Sequence, residues 1–518
     1  MIDYETIDLA RLLIGEEVPP SRDNPENDSD QLDVLETYLT NYQHLNQASF
    51  ASALTEYLLT PSDDANEEAF YLAVNWIRQQ LETHSRTEVV LNTLSALSNT
   101  NLPMFENSAA RLNNLIDLAG YIRDESGSMP LTADRQSQIV AGISAQSESL
   151  AEAKLAVDAA TQTWHFSFYM MADNNLEAAA IDDLFELQSL SESEYVSVSV
   201  ALDRSPNYDN RLDDWSDTRY GIINEDSRSI DSLVSAGELN LGAGDLLTQF
   251  LDWSFANSTN ADNQALILWN HGLGYEGIGV DESAGDGALE LSEIADAISA
   301  TALGHIDLLG FDACSMAIVE GVIALAPATD FILASEDLVP LDGWKYENLL
   351  SNDDVGLGKV EHAGAMIAQH YSDANPELGY LTTSMLNLDT TEHLLESLTV
   401  FTEYFTSAAN TDFNLLVSAR EAAKFYFDND SIDLLSVLYH PVLEQLTDSG
   451  KRVTSELAAA VENVVSFNIA NEEASSGISI YWPETHPGEY YAAQYENTVT
   501  EIALGGWSDL LSQYWDVI

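Results

Sequence analysis

The chain is 518 residues long, 45% hydrophobic, and carries 86 acidic against 18 basic residues, a formal charge of −68 at pH 7. Length and apolar content supply a large core in about two to four domains and exclude a disordered polymer. With five lysines and no basic run longer than Lys451–Arg452, the chain lacks the footprint that would displace counterions from a nucleic acid, and an anionic membrane surface is disfavoured likewise.

The single Cys314 excludes an intramolecular disulfide framework and any cysteine-rich zinc site. The acidic excess has two physical readings. Carboxylates can hold hydration and cations at high salt, where screening quiets their repulsion, or they can form discrete sites for a hard cation such as Ca²⁺. The opening MIDYETIDLARLLIGEEVPP has no basic segment followed by an apolar one, so no secretory signal is expected there, and no apolar run approaches the length of a membrane span.

In chain order, residues 1–33 read as a flexible acidic lead, ending in PPSRDNPENDSD. Residues 34–161 read as an all-α region of five or six helices, broken by turn clusters at Thr60–Asn66 and Asp124–Pro130. Ser147–Ala160 is its last helix, and no catalytic spacing occurs in it: His44 and His84 stand alone. From residue 162 to 518 short β-rich runs alternate with helical patterns: WHFSFYMMA, a helix over Leu176–Leu190, YVSVSVALD, ALILWNHG, IDLLGFDAC and FILASED. The fold expected here is α/β, a mainly parallel sheet flanked by helices. Ligands of such sheets sit beyond the carboxyl ends of the strands, which directs attention to polar residues that follow an apolar run.

His271 follows ALILWN, and Cys314 follows IDLLGFDA. Neighbouring parallel strands would bring imidazole and thiol to one sheet edge as a proton carrier and a nucleophile. Gly272 would admit substrate backbone, and its N–H could join that of Cys314 in holding an oxyanion. The competing reading is a buried structural cysteine and an unrelated histidine. Asp173, Asn174 and Asn175 after the first strand, and Asp281, Glu282 and Asp286 in a glycine-rich loop, could hold Ca²⁺ through oxygen, though neither set has EF-hand spacing and ordinary solvated turns are the competing reading.

The strings LILWNHGLGY, IDLLGFDACSMA and ILASEDLVPLDGWKY, together with WHFSFYMMADNNLE, VALDRS, WSDTRYGIIN and GISIYWP, resemble the clostripain family of cysteine peptidases, over about residues 163–515. The resemblance implies a caspase-like fold, Cys314 as nucleophile, His271 as general acid and base, Gly272 as an oxyanion contributor, and no obligatory third carboxylate. It implies cleavage of proteins or peptides after Arg or Lys, with Asp312 on the floor of the pocket for that side chain; Asp342 and Glu336 are further candidates for the pocket. Trp344 would wall the groove or pack in the core. Calcium dependence is common among such proteins. They are secreted or at the cell surface, which applies here if the chain is trimmed; otherwise the cytoplasm is expected. Self-cleavage after a basic residue between His and Cys is also common in them, but Gly272 to Ala313 contains neither Lys nor Arg. Arg135 and Lys154, near the domain boundary, would be the better processing sites. The rival is a non-catalytic acidic, cation-binding surface or interaction protein on a peptidase fold.

Overall fold

The computed structural model describes residues 9–10, 13, 35–59, 67–125, 127, 131–188, 193, 195–223, 233–258, 261–283, 287–348, 356–407, 410–426, 430–471, 475–501, 504 and 506–518. They form two compact units that divide between Thr163 and Trp164.

In the first unit the helices run Gln47–Leu58, Glu67–Gln80, Arg86–Ser98, Glu106–Glu125, Ala133–Ala141 and Ser147–Thr161. Their starts are chemically marked. Asn46 accepts from the Ser49 N–H, Thr132 from that of Arg135, and Ser85 with Glu88 forms a reciprocal capping box. The helices close on a core that includes Leu91, Leu94, Leu112, Leu115 and Val157. Of the stretch read as a flexible lead, only residues 9–10 and 13 are among those described; Leu9 and Ala10 are buried in this core, and the Tyr57 hydroxyl donates to the carbonyl of Leu13. The turn cluster at 60–66 lies outside the described residues. Arg135 and Lys154 are not on linker backbone, as expected from the sequence, but inside helices Ala133–Ala141 and Ser147–Thr161, where a protease would first have to open helical hydrogen bonds.

The second unit is built on a nine-stranded sheet of order β11-β8-β7-β6-β5-β1-β2-β3-β4. The strands are β1 (Trp164–Ala172), β2 (Val196–Arg204), β3 (Thr218–Ile223), β4 (Val234–Gly237), β5 (Asn263–Trp269), β6 (Ile306–Asp312), β7 (Thr329–Ala334), β8 (Thr382–Asn387) and β11 (Val465–Ala470). The five central strands, β7 to β2, are mutually parallel, and antiparallel pairs finish both edges. A second, three-stranded antiparallel sheet joins β9 (Phe425–Tyr426), β10 (Ser431–Asp433) and β12 (Ser479–Tyr481).

The central strands read as unbroken apolar runs because both sheet faces are covered. Alternate residues serve opposite cores. Phe168, Met170, Val200, Ile267 and Trp269 pack on one face with helices Glu177–Leu187 and Val360–Ala374. Tyr169, Met171, Leu268, Phe311 and Ile332 pack on the other with helices Gly244–Asn257 and Leu291–Ser299. His165, inside β1, is fully buried among the hydroxyls of Ser197, Ser199 and Ser254, and burial lowers its pKa to about 4.

Candidate active site

Three adjacent parallel strands deliver the reactive residues. In the β5–β6 register Trp269 pairs with Asp312, and Cys314 follows His271 by the same 43 positions that separate that pair. Imidazole and thiol therefore leave the sheet at one level of its carboxyl edge, as the strand-end rule requires. Immediately beyond, the chain is tightly constrained. A Cβ on Gly272 would lie 1.8 Å from the carbonyl oxygen of Cys314 and 3.0 Å from its nitrogen, so only glycine allows the two backbones to meet. Ser315 follows Cys314 with φ of 58°, a left-handed conformation that costs a non-glycine residue about 1–2 kcal/mol. Such strain collects at functional turns, where surrounding structure enforces it.

Burial favours the neutral form of both reactive groups. Burial, and then the Asp312 and Asp337 charges, push the Cys314 thiol up, against the lowering effect of the Val339 N–H, which donates to Sγ at 3.3 Å. Half-burial pulls the His271 imidazole down, and its Nε2 lies 3.0 Å from the Asn175 side-chain carbonyl. A thiol and an imidazole both pushed toward their neutral forms suit acyl transfer in which the base takes the proton as the sulfur attacks.

Asp312, the last residue of β6, is 4% exposed, and its Oδ2 accepts from the Trp344 N–H at 3.0 Å and the Tyr346 hydroxyl at 2.5 Å. Burial raises its pKa to about 6. Nearby Asp183, buried and accepting from the Trp269 indole at 2.7 Å, is raised by burial first and by Asp312 second. Glu186 pairs with Lys345 at 3.2 Å and accepts the Tyr346 N–H. Gly343 presses on this group: a Cβ there would lie 2.7 Å from Asp312 Oδ2. Asp342 is exposed.

The two remaining candidates for this pocket have their side chains engaged in other ways. Trp344 is a core residue, 3% exposed with its ring against Gly310; only its backbone serves Asp312. Glu336 is buried, and its carboxylate accepts from Ser475 and Ser479 hydroxyls and the Gly477 N–H, so it fastens distant chain to the end of β7. Burial, and then Asp433, raise it to about 8.

A second carboxylate group forms on the Met171 face of the sheet. Asp173, Asp203, Glu238 and Asp281 each place one oxygen within 4.8 Å of the others. Asp173 Oδ1 and Asp203 Oδ2 are buried with no hydrogen-bond partner among the described residues, as is the Tyr169 hydroxyl, whose pKa burial and then Asp203 raise. Burial and the neighbouring carboxylates hold Asp203 up at about 8. An all-oxygen set of acids with orphaned atoms fits a hard divalent cation such as Ca²⁺. Asp173 and Asp281 were legible as candidates; Asp203 and Glu238 were not, although Asp203 follows the apolar run of β2 and pairs with Met171 in the sheet. Glu282 stands outside the group, exposed, and accepts from the Tyr208 hydroxyl. Asp286 lies outside the described residues. Asn174 is a structural clamp: its Nδ2 lies 2.9–3.0 Å from Met171 O, Asn270 Oδ1 and Val280 O.

A thiol and an imidazole at the ends of neighbouring parallel strands, over a sheet covered on both faces, are the parts from which a cysteine hydrolase could be built. Comparison narrows this. The profile of the clostripain family, peptidase family C11, matches residues 168–515. Clostripain of Hathewaya histolytica is 30% identical over 224 residues, 37% of this chain and 42% of that protein, so the match spans under half of the relative. A secreted C11 cysteine protease of Bacteroides thetaiotaomicron, solved with an irreversible peptide inhibitor, superposes with a TM-score of 0.50 at 16% identity over 66% of this chain and 99% of that one. An inactive zymogen C11 protease of Parabacteroides distasonis gives 0.49 at 17% identity, with the same 66% and 99% coverage. The chain belongs to the clostripain family, peptidase family C11. No described helix is long and apolar enough to cross a membrane.

Proposed function

We propose that this protein is a cysteine endopeptidase that hydrolyses peptide bonds after Arg or Lys, with Cys314 as nucleophile and His271 as general acid and base. The carrying observation is the β5–β6 register that brings both to one edge with Gly272 against the Cys314 backbone. His271 takes the thiol proton as sulfur bonds to the scissile carbonyl carbon. The backbone N–H groups of Gly272 and Cys314 are assigned to the resulting oxyanion. The imidazolium then protonates the leaving amine, and the C–N bond breaks to leave a thioester. Water, losing its proton to His271, attacks that thioester, and the proton returns to the departing sulfur.

Selectivity for a cationic side chain is assigned to Asp312, with Asp342 at the mouth. An ionised Asp312 would give a guanidinium or ammonium a negative destination, where a charge-assisted bond in a partly dry site discriminates sharply. The family resemblance of the DAC and LDGW segments supports the same assignment. Asp173, Asp203, Asp281 and Glu238 would hold Ca²⁺, whose charge would offset the burial that raises Asp203 to about 8.

The test is a fluorogenic peptide panel varying only the residue before the cut, run on native protein and on Cys314→Ala and His271→Ala. Arg and Lys substrates should be cut, each variant should lose turnover by several orders of magnitude, and the two losses should not add because the pair acts as one unit. Turnover unchanged in Cys314→Ala overturns the assignment; no turnover by native protein, with calcium bound, favours the cation-binding scaffold.

A further inference from the structure

The structure assigns Asn175 as the positioning residue of the catalytic histidine: its side-chain carbonyl fixes the tautomer and orientation of His271, completing a Cys314–His271–Asn175 series across three adjacent strands. This inference rests on the peptidase reading above and adds a residue to it.

Chain geometry is the first support. β1 lies on the far side of β5 from β6, with Met170 beside Trp269 and Trp269 beside Asp312. Asn175 follows the end of β1 by three residues, as His271 and Cys314 each follow their strands by two. Its Oδ1 lies 3.0 Å from His271 Nε2. An amide carbonyl can only accept, so Nε2 carries the hydrogen and Nδ1 is left with the lone pair to receive the thiol proton.

The backbone on both sides is held in one hydrogen-bonded unit. Asn174, 1% exposed, reaches the Asn270 side chain at 3.0 Å, and that same Asn270 oxygen accepts the His271 N–H at 2.5 Å. Asn174 Oδ1 also accepts the Leu176 N–H, which fixes the turn on which Asn175 rides. The two residues that meet at Nε2 are thus each preceded by an asparagine bonded to the other. Asn175 itself is exposed, so its side chain contributes little to the core, and its carbonyl is turned to the imidazole.

The chemistry explains why an amide suits this place. Once His271 takes the thiol proton, Nε2–H faces a carbonyl dipole that steadies the imidazolium, as the third member of a nucleophile–base–orienter series does. A carboxylate there would hold the resting imidazole protonated beside a thiol that must still give up its proton. The neutral amide orients without adding charge to an edge already crowded with acids.

The experiment measures kcat and KM of Asn175→Ala and Asn175→Asp on an Arg peptide, with calcium present, alongside Cys314→Ala, and repeats Asn175→Ala in the His271→Ala background. Asn175→Ala should lower kcat about 10- to 100-fold, part of the 10²–10⁴ that a positioned base contributes, with KM and melting temperature nearly unchanged. Asn175→Asp, which keeps an acceptor but adds a charge that holds the imidazole protonated, should recover turnover only toward higher pH, moving the acidic limb of the kcat profile upward. Without His271 the same alanine substitution should cost nothing further. A kcat within about twofold of native, or an equal loss with and without His271, overturns the assignment of Asn175 while leaving Cys314 intact. Full turnover by Cys314→Ala would instead sink the reading beneath it.

Discussion

Two groups of buried carboxylates sit at the carboxyl edge of one sheet, on opposite faces, and differ in what answers them. On the Trp269 face, Asp312 receives a backbone N–H and a phenol, Asp183 an indole, and Glu186 an ammonium and a backbone N–H. On the Met171 face, Thr218 serves one oxygen of Asp203 and Ser283 one of Asp173, while the other oxygen of each stays without a partner among the described residues. Burial raises the pKa of Asp312 and Asp183 in the first group and of Asp203 in the second. The first set is answered by donors of the chain; in the second, one oxygen of each of Asp173 and Asp203 is not. Acid count alone would not separate them, whereas the inventory of donors does.

The largest effect expected from this contrast is in Asp312→Asn. Its kcat/KM for Arg peptides should fall by about two to four orders of magnitude, since a buried counter-charge is worth several kcal/mol, with little change for uncharged peptides. The exposed Asp342→Asn should cost less, because water and salt screen it. A larger effect at Asp342 than at Asp312 would reverse the order of the two. The preference also has a pH sign. The cation needs Asp312 ionised, so with a pKa of about 6 the ratio of Arg to uncharged turnover should rise from pH 5 to 7 and level off above. A flat ratio over that range would remove Asp312 from recognition.

A smaller effect is expected at the other group. Calcium should raise the melting temperature of the native protein by a few degrees, as a ligand at about 100 times its Kd adds about 2.7 kcal/mol, and Asp203→Asn should abolish the gain. Equal gains in both proteins would refute the site. A melting temperature that climbs steadily into molar NaCl in both would mark the surface charge of −68, not a discrete cation, as what salt relieves.

The least change is expected in the chain itself. If the Asp312 group demands a cationic residue before the cut, active protein should stay unbroken from Gly272 to Ala313, which holds no Lys or Arg. Intact mass beside Cys314→Ala reads this directly, and a break there in the active form alone refutes the basic-residue selectivity.

The sequence made the parallel centre legible because strands buried on both faces have no room for polar alternation: WHFSFYMMA is β1, and IDLLGFD is β6. The antiparallel edges were obscure for the opposite reason. β4 is exposed throughout and β11 only partly buried, so neither prints an apolar run. His271 and Cys314 could be found because the strand-end rule works along the chain. It gives position but not direction, which is why Glu336, at such an end, turns out to bind Ser475, Gly477 and Ser479. Asp203 and Glu238 escaped because four separate segments contribute to their group, and the bond from Asn175 to His271 spans 96 positions that no local pattern encodes.

The register that sets His271 level with Cys314 ties the proposed pair to the centre of a sheet covered on both faces. Because neighbouring strands hold it, the length of the crossover between them is free to vary, while a slip of one residue between β5 and β6 would turn the thiol to the opposite face. Nor can the site melt ahead of the sheet. Denaturant titrations should therefore show loss of alkylation-competent thiol reactivity and loss of far-ultraviolet ellipticity from this unit at one midpoint, as a single cooperative event.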